Sequence, residues 1–237
     1  MPVLEIITSS GLGSLLGMRH ALEPDHLTAV STLVTGERSS YRAAMLGAFW
    51  GLGHTLSLVA VGAVLVVLRA EMPARVSDLF ELFVAVMLIG LGLRAIVLAV
   101  REGRTGPARE HHHGRLVHNH PGATPHVHVG KWTLARRPLL VGAVHGLAGS
   151  AALTLFVLGT IASPWLAVLY VVIFGAGTIA GMLIVSTLLS LPLALASRLP
   201  GLVHRIQLAA GIGSFAFGLF YTWQVAFGDA SLMTILH

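Results

Sequence analysis

Long runs of apolar positions alternate with short polar breaks along the chain. Three runs stand out: "AAMLGAFWGLGHTLSLVAVGAVLVVL" (43–68), "LFELFVAVMLIGLGLRAIVLAV" (79–100) and "WLAVLYVVIFGAGTIAGMLIVSTLLSL" (165–191). Each exceeds the roughly 20 residues that cross the hydrocarbon core of a bilayer as a helix. Weaker runs at 10–34, 138–161 and 204–227 are still long enough. The pattern predicts an all-α polytopic membrane protein with six transmembrane helices.

The second half of the chain resembles the first. "RHALEPDHLTAV" (19–30) aligns with "VHGLAGSAALTL" (144–155) at an offset of 125, so that His20 matches His145. "GLGHT" (51–55) aligns with "GAGTI" (175–179) at 124, and "ELFVAVMLIGLGL" (81–93) with "QLAAGIGSFAFGL" (207–219) at 126. Three similarities in one order at nearly one offset predict a 3+3 inverted repeat, because a unit of three helices enters the membrane in opposite orientations in its two copies. Many secondary transporters are built in this way, with the substrate site near the midplane between the copies. The expected divisions are a first repeat over 1–100, a linking loop over 101–136 and a second repeat over 137–237. The copies differ in polarity: where the first carries Glu23, Asp25, His26 and His54, the second has Ala148, Ser150, Ala151 and Thr178.

Composition agrees with the membrane assignment. The 237 residues are 55% hydrophobic and only 11% charged, where soluble domains are about a quarter charged. Absence of cysteine excludes disulfides, thiolate metal ligands and a cysteine nucleophile. The net charge of +5 reports topology rather than nucleic acid. Arg38, Arg42, Arg198, Arg205 and seven basic residues between 101 and 137 fall in alternate loops, against Arg69 and Arg75 in the others. By the positive-inside rule, both termini lie outside an inner (cell) membrane and the 101–136 loop lies in the cytoplasm. The N-terminus has neither a basic leader nor a small-residue cleavage site, so no removed signal peptide is expected.

Against this apolar background, "HALEPDH" (20–26) places two histidines, two carboxylates and a proline in seven residues. Ionisable groups inside a membrane are costly and mark functional sites. On a continuous helix at about 100° per residue, His20, Asp25 and His26 diverge and cannot meet at one ion. Pro24 lacks an N–H and clashes with the carbonyl four residues back, that of His20, so helix 1 is expected to break near Pro24 and let the side chains face one cavity. His54, between Gly51 and Gly53, and His145 are the other imidazoles within predicted helices, apart from His204 at a helix end. A thiolate-free set of imidazoles and carboxylates suits Ni²⁺, Co²⁺, Zn²⁺, Mn²⁺ or Fe²⁺. Glu23 is a ligand, an orienting partner of a histidine, or an ion-pair partner of Arg19 or Arg94. His145 is a further candidate ligand or orienting partner. The loop carries His111, His112, His113, His118, His120, His126 and His128 and is expected to be mobile, gathering metal ions loosely.

The His20-x4-Asp25-His26 pattern, with "LGHT" (52–55) in the next helix, resembles the nickel/cobalt transporter (NiCoT) family in its short, six-helix UreH-like branch. The resemblance implies that His20, Asp25, His26 and His54 bind and select Ni²⁺ or Co²⁺ as a transported substrate. It also implies no tightly bound cofactor, no enzymatic activity, and nickel-enzyme maturation proteins as possible partners. Uptake is favoured over efflux. Pro24 stands where the family usually has Ala, Glu23 where it has Asp, and "HGLAGSAA" where longer members carry an acidic motif. Competing readings are an efflux protein of the same family, a small-anion exporter, a metal sensor and an intramembrane metalloenzyme. The last needs about eight histidines in several boxes, more than the helices hold, and the acidic cluster disfavours an anion.

Overall fold

The structure, a computed structural model, describes residues 2–35, 37, 39–68, 72–104, 111–113, 116–118, 131–148, 163–196, 199 and 201–227. Among these residues the chain forms α1 (Pro2–His20), α2 (Pro24–Val34), α3 (Ser40–Leu68), α4 (Ala74–Arg104), α5 (Lys131–His145), α6 (Pro164–Ala196) and α7 (Leu202–Phe227). Four helices carry spans long and apolar enough to cross a bilayer: Ser40–Leu65, Arg75–Arg101, Trp165–Leu193 and Leu202–Phe227.

Polarity runs opposite to that of a soluble protein. Leu56, Val64, Phe83, Leu169 and Leu188 face outward, while His20, His26, His54, His145, Thr178 and Ser214 are buried. A surface of large aliphatic side chains around a polar interior needs lipid as its solvent. The chain is a helical multi-pass membrane protein.

The expected break is present. α1 ends at His20, Ala21–Glu23 form a turn, and α2 opens with Pro24 as its first helical residue. There the missing N–H costs nothing, because the first N–H groups of a helix have no partner. Glu23 caps α2 in extended conformation (φ −63°, ψ 147°) and Asp25 lies in its first turn, where a carboxylate is favoured by the helix dipole. A second break follows His145. The N–H groups of Ala21, Leu22 and Glu23 donate to the carbonyls of Gly17, Arg19 and His20, and those of Gly146, Leu147 and Ala148 donate to Gly142, Val144 and His145. The two sets differ by 125 residues throughout.

Helix contacts recur with the same spacing. α3 packs along α6, α1 along α6, α5 along α3, and α4 along α7, while α2 touches α3, α4, α6 and α7. A Cβ at Gly17 would overlap the Phe174 carbonyl, and one at Gly142 would overlap that of Trp50. Gly92 sits against Phe215 and Gly211, and Gly218 sits against Ile89 and Ala85. Such close approach replaces the hydrophobic effect, which is absent between helices in lipid. Ser214 Oγ adds a hydrogen bond of 2.9 Å to the Leu88 carbonyl across the α4–α7 seam.

Several boundaries differ from the sequence expectation. α4 begins five residues earlier than the apolar run and ends at Arg104, and α5 begins at Lys131, because polar helix ends continue past the hydrocarbon layer. The long loop also holds a small antiparallel hairpin, β1 (His111–His113) and β2 (Leu116–His118), pairing His111 with His118. Among the described residues the fold is helical apart from this hairpin, and that part of the loop is structured. His120, His126, His128 and most of the fourth expected span beyond Ala148 lie outside the described residues.

Candidate metal centre

The two breaks and the glycine contacts bring four imidazoles together. His20 ends α1, His26 lies in the first turns of α2, His54 is midway along α3, and His145 ends α5. Gly53 brings α3 against the Leu139 carbonyl, and Gly146 lies against the His54 backbone, so the α3 and α5 histidines share one layer. His26, His54 and His145 are fully buried and His20 is 4% exposed. Ring centroids lie 4.3 Å apart for His20–His26, 5.1 Å for His20–His54, 5.3 Å for His26–His54 and 4.1 Å for His26–His145.

Carboxylates take one nitrogen of three of these rings. His20 Nδ1 lies 2.9 Å from Glu23 Oε1, His26 Nδ1 lies 2.9 Å from Asp25 Oδ1, and His145 Nε2 lies 2.8 Å from Asp25 Oδ2. A carboxylate oxygen only accepts, so each of these ring nitrogens carries the proton and donates. The opposite nitrogen of each ring is then a bare lone pair. Those atoms, His20 Nε2, His26 Nε2 and His145 Nδ1, are buried without a hydrogen-bond partner, as are both nitrogens of His54. Asp25 also accepts from the His26 backbone N–H at 2.9 Å, which fixes its orientation.

Two groups of three side chains bring one donor atom each within 4.8 Å of one another: His20, His26 and His54, and Asp25, His26 and His145. A first-row dication with bonds of about 2.1 Å needs donors no more than about 4.2 Å apart, so a small closure completes either group. An unsatisfied buried polar atom costs about 1–3 kcal/mol, and a cation accepting those lone pairs removes the penalty. The carboxylate–imidazole pairs have the arrangement that fixes ring tautomer and raises basicity in metal sites.

The sequence-identified residues His20, Glu23, Asp25, His26, His54 and His145 all meet here. Glu23 pairs with His20 rather than with Arg19 or Arg94. Of the loop histidines, His111, His112, His113 and His118 lie in the hairpin. Two aromatic residues escaped the sequence reading. Trp50 stands 5.5 Å from both His26 and His145, and Phe174 stands 5.6 Å from His20. The signal for Trp50 was its position one helical turn before His54, on the same face. Glu81, half-buried and hydrogen-bonded to Tyr221, was also missed, although a carboxylate inside an apolar run is itself a signal.

These features define a helical multi-pass membrane protein with a buried cluster of imidazoles backed by carboxylates. The chain is 34% identical over 227 residues to the urease accessory protein UreH of Bacillus sp. (strain TB-90), covering 95% of each chain. It belongs to the UreH-like branch of the nickel/cobalt transporter family. No protein-family model and no solved structure matches the chain.

Proposed function

We propose that the protein carries Ni²⁺, or Co²⁺ in its place, across the cell membrane through the buried cluster, with His20, His26 and His54 as ligands. The carrying observation is that three of the four imidazoles present an unpartnered buried nitrogen while a carboxylate holds the other. In this reading Asp25 and Glu23 hold the rings in the ligating tautomer and offset the charge of the ion. Nitrogen-rich, thiolate-free coordination suits late first-row dications, and the family supports nickel and cobalt among them.

We read the fold as a 3+3 inverted repeat of 1–100 and 137–237 joined by the loop 101–136. Matching breaks after His20 and His145, and contacts recurring at offsets of 124 to 126 residues, support that reading. The distribution of basic residues supports termini outside and a cytoplasmic loop. Uptake is the favoured direction, because a relative named as a urease accessory protein fits supply of metal to an intracellular enzyme and its maturation proteins. Efflux is the alternative. Radiolabelled nickel accumulation in cells with and without the protein tests both: accumulation above control supports uptake, accumulation below control supports efflux. No difference, with His54→Ala equally inert, refutes nickel transport.

A further inference from the structure

We infer that the cluster contains a second ion station, formed by Asp25, His26 and His145, to which a divalent transition metal passes from the His20–His26–His54 station. The inference rests on the transport reading and adds a site to it. Each of the two groups holds its donor atoms within 4.8 Å of one another, and His26 belongs to both. The His26 ring lies 4.3 Å from His20 and 4.1 Å from His145, whereas His54 and His145 are 6.2 Å apart. His26 therefore stands between two sets of partners.

His145 is built for more than holding Asp25. It is fully buried, its Nε2 bonds the carboxylate, and its Nδ1 has no partner. A histidine serving only as a structural donor has no need of a bare, buried lone pair that costs about 1–3 kcal/mol. His20 and His145 occupy equivalent places, each the last residue of a helix that breaks into a three-residue turn with the same backbone bonds. Each half of the chain thus supplies one flanking imidazole.

The shared residue makes the stations exclusive, so one ion occupies the pair at a time. Their donor sets differ: three imidazoles in one, two imidazoles and a carboxylate in the other. In the latter the ion takes the place of the protons that His26 Nδ1 and His145 Nε2 direct at Asp25, while those protons move to the unpartnered His26 Nε2 and His145 Nδ1. The second set is harder and binds a late first-row dication less tightly. Conduction needs sites favourable enough to enter and weak enough to leave, and a tight station followed by a weaker one meets that need. His26 rides on α2 together with Asp25, while its imidazole partners ride on α1, α3 and α5. A small shift of α2 moves the shared ring from one set toward the other.

Calorimetric titration of the purified full-length chain with Ni²⁺ tests the second station directly. His54→Ala should bind one ion at least tenfold more weakly than wild type, and His54→Ala/His145→Ala should lose at least a further tenfold. Equal affinities in the single and double variants overturn the second station. Equal affinities in wild type and His54→Ala instead refute the three-imidazole site, so the two failures are distinguishable. His145→Gln keeps volume and polarity if the alanine variant does not fold. In proteoliposomes His145→Ala alone should retain Ni²⁺ affinity within about threefold while flux falls at least tenfold. Wild-type flux, or affinity lost together with flux, overturns the relay.

Discussion

Replacement of Asp25 by asparagine separates an orienting carboxylate from a merely structural hydrogen bond. Asp25 Oδ1 accepts from His26 Nδ1–H at 2.9 Å and Oδ2 accepts from His145 Nε2–H at 2.8 Å. The amide of Asp25→Asn keeps one acceptor and turns an NH₂ toward the other ring. Two donors then face each other, unless His145 moves its proton to Nδ1 and covers the lone pair there. Hydrogen bonds to a charged group contribute about 1.5–3 kcal/mol and neutral ones about 1 kcal/mol. Weakening two of them therefore removes on the order of 2 kcal/mol from the ligating arrangement. Loss of an outer carboxylate partner typically lowers metal affinity 10–100-fold, or about 1.4–2.8 kcal/mol, in agreement with that figure. The expected result is a loss of about thirtyfold in Ni²⁺ affinity by calorimetry, and of at least tenfold. The helices should stay assembled, because interhelical hydrogen bonds in membranes average about 0.6 kcal/mol. Equal affinities for wild type and Asp25→Asn would refute the orienting role and the site built on it.

Three further outcomes follow from the same geometry. Replacing all seven histidines from His111 to His128 by serine should leave flux at saturating metal largely intact in proteoliposomes, because the buried cluster holds the ligating nitrogens; complete loss in a well-expressed variant contradicts that order. Metal binding should weaken as pH falls, since only neutral imidazole coordinates and protons compete with the ion for the same ring nitrogens; affinity that rises on acidification excludes histidine ligation. Gly53→Leu places a side chain against the Leu139 carbonyl and should separate α3 from α5, lowering thermal stability and Ni²⁺ affinity at least tenfold. Gly90→Leu, with nothing near its Cβ position, should change neither.

Much of this was legible in the sequence because membrane insertion and proline act locally. Apolar runs mark spans by length alone, and Pro24 in a polar stretch announces a break whose position depends on nearby residues only. His145 was found through its repeat partner His20. Less visible was the function of Asp25, which links His26 to a histidine 120 residues away; no local pattern states which carboxylate oxygen meets which ring. The pairing of Glu23 with His20, three residues back, follows from the turn itself and could not be chosen over Arg19 or Arg94 before that turn was known. Trp50 and Phe174 read as ordinary apolar positions, since hydropathy does not separate lipid-facing from cluster-facing aromatics. The hairpin at 111–118 escaped because histidine density reads as solvated loop, whereas strand pairing depends on the backbone of both segments.

His54 is the fifteenth of the 29 residues of α3, so an ion held there has crossed about half of the bilayer from either face. A full crossing of one elementary charge through 100 mV amounts to about 2.3 kcal/mol. A dication halfway across therefore exchanges about the same energy with the membrane potential. With the cell interior negative, that energy favours loading from outside about fiftyfold per 100 mV and opposes return by the same factor. The resting voltage thus acts on the buried histidines as a directional force that the ligands themselves, indifferent to which face the ion came from, do not supply.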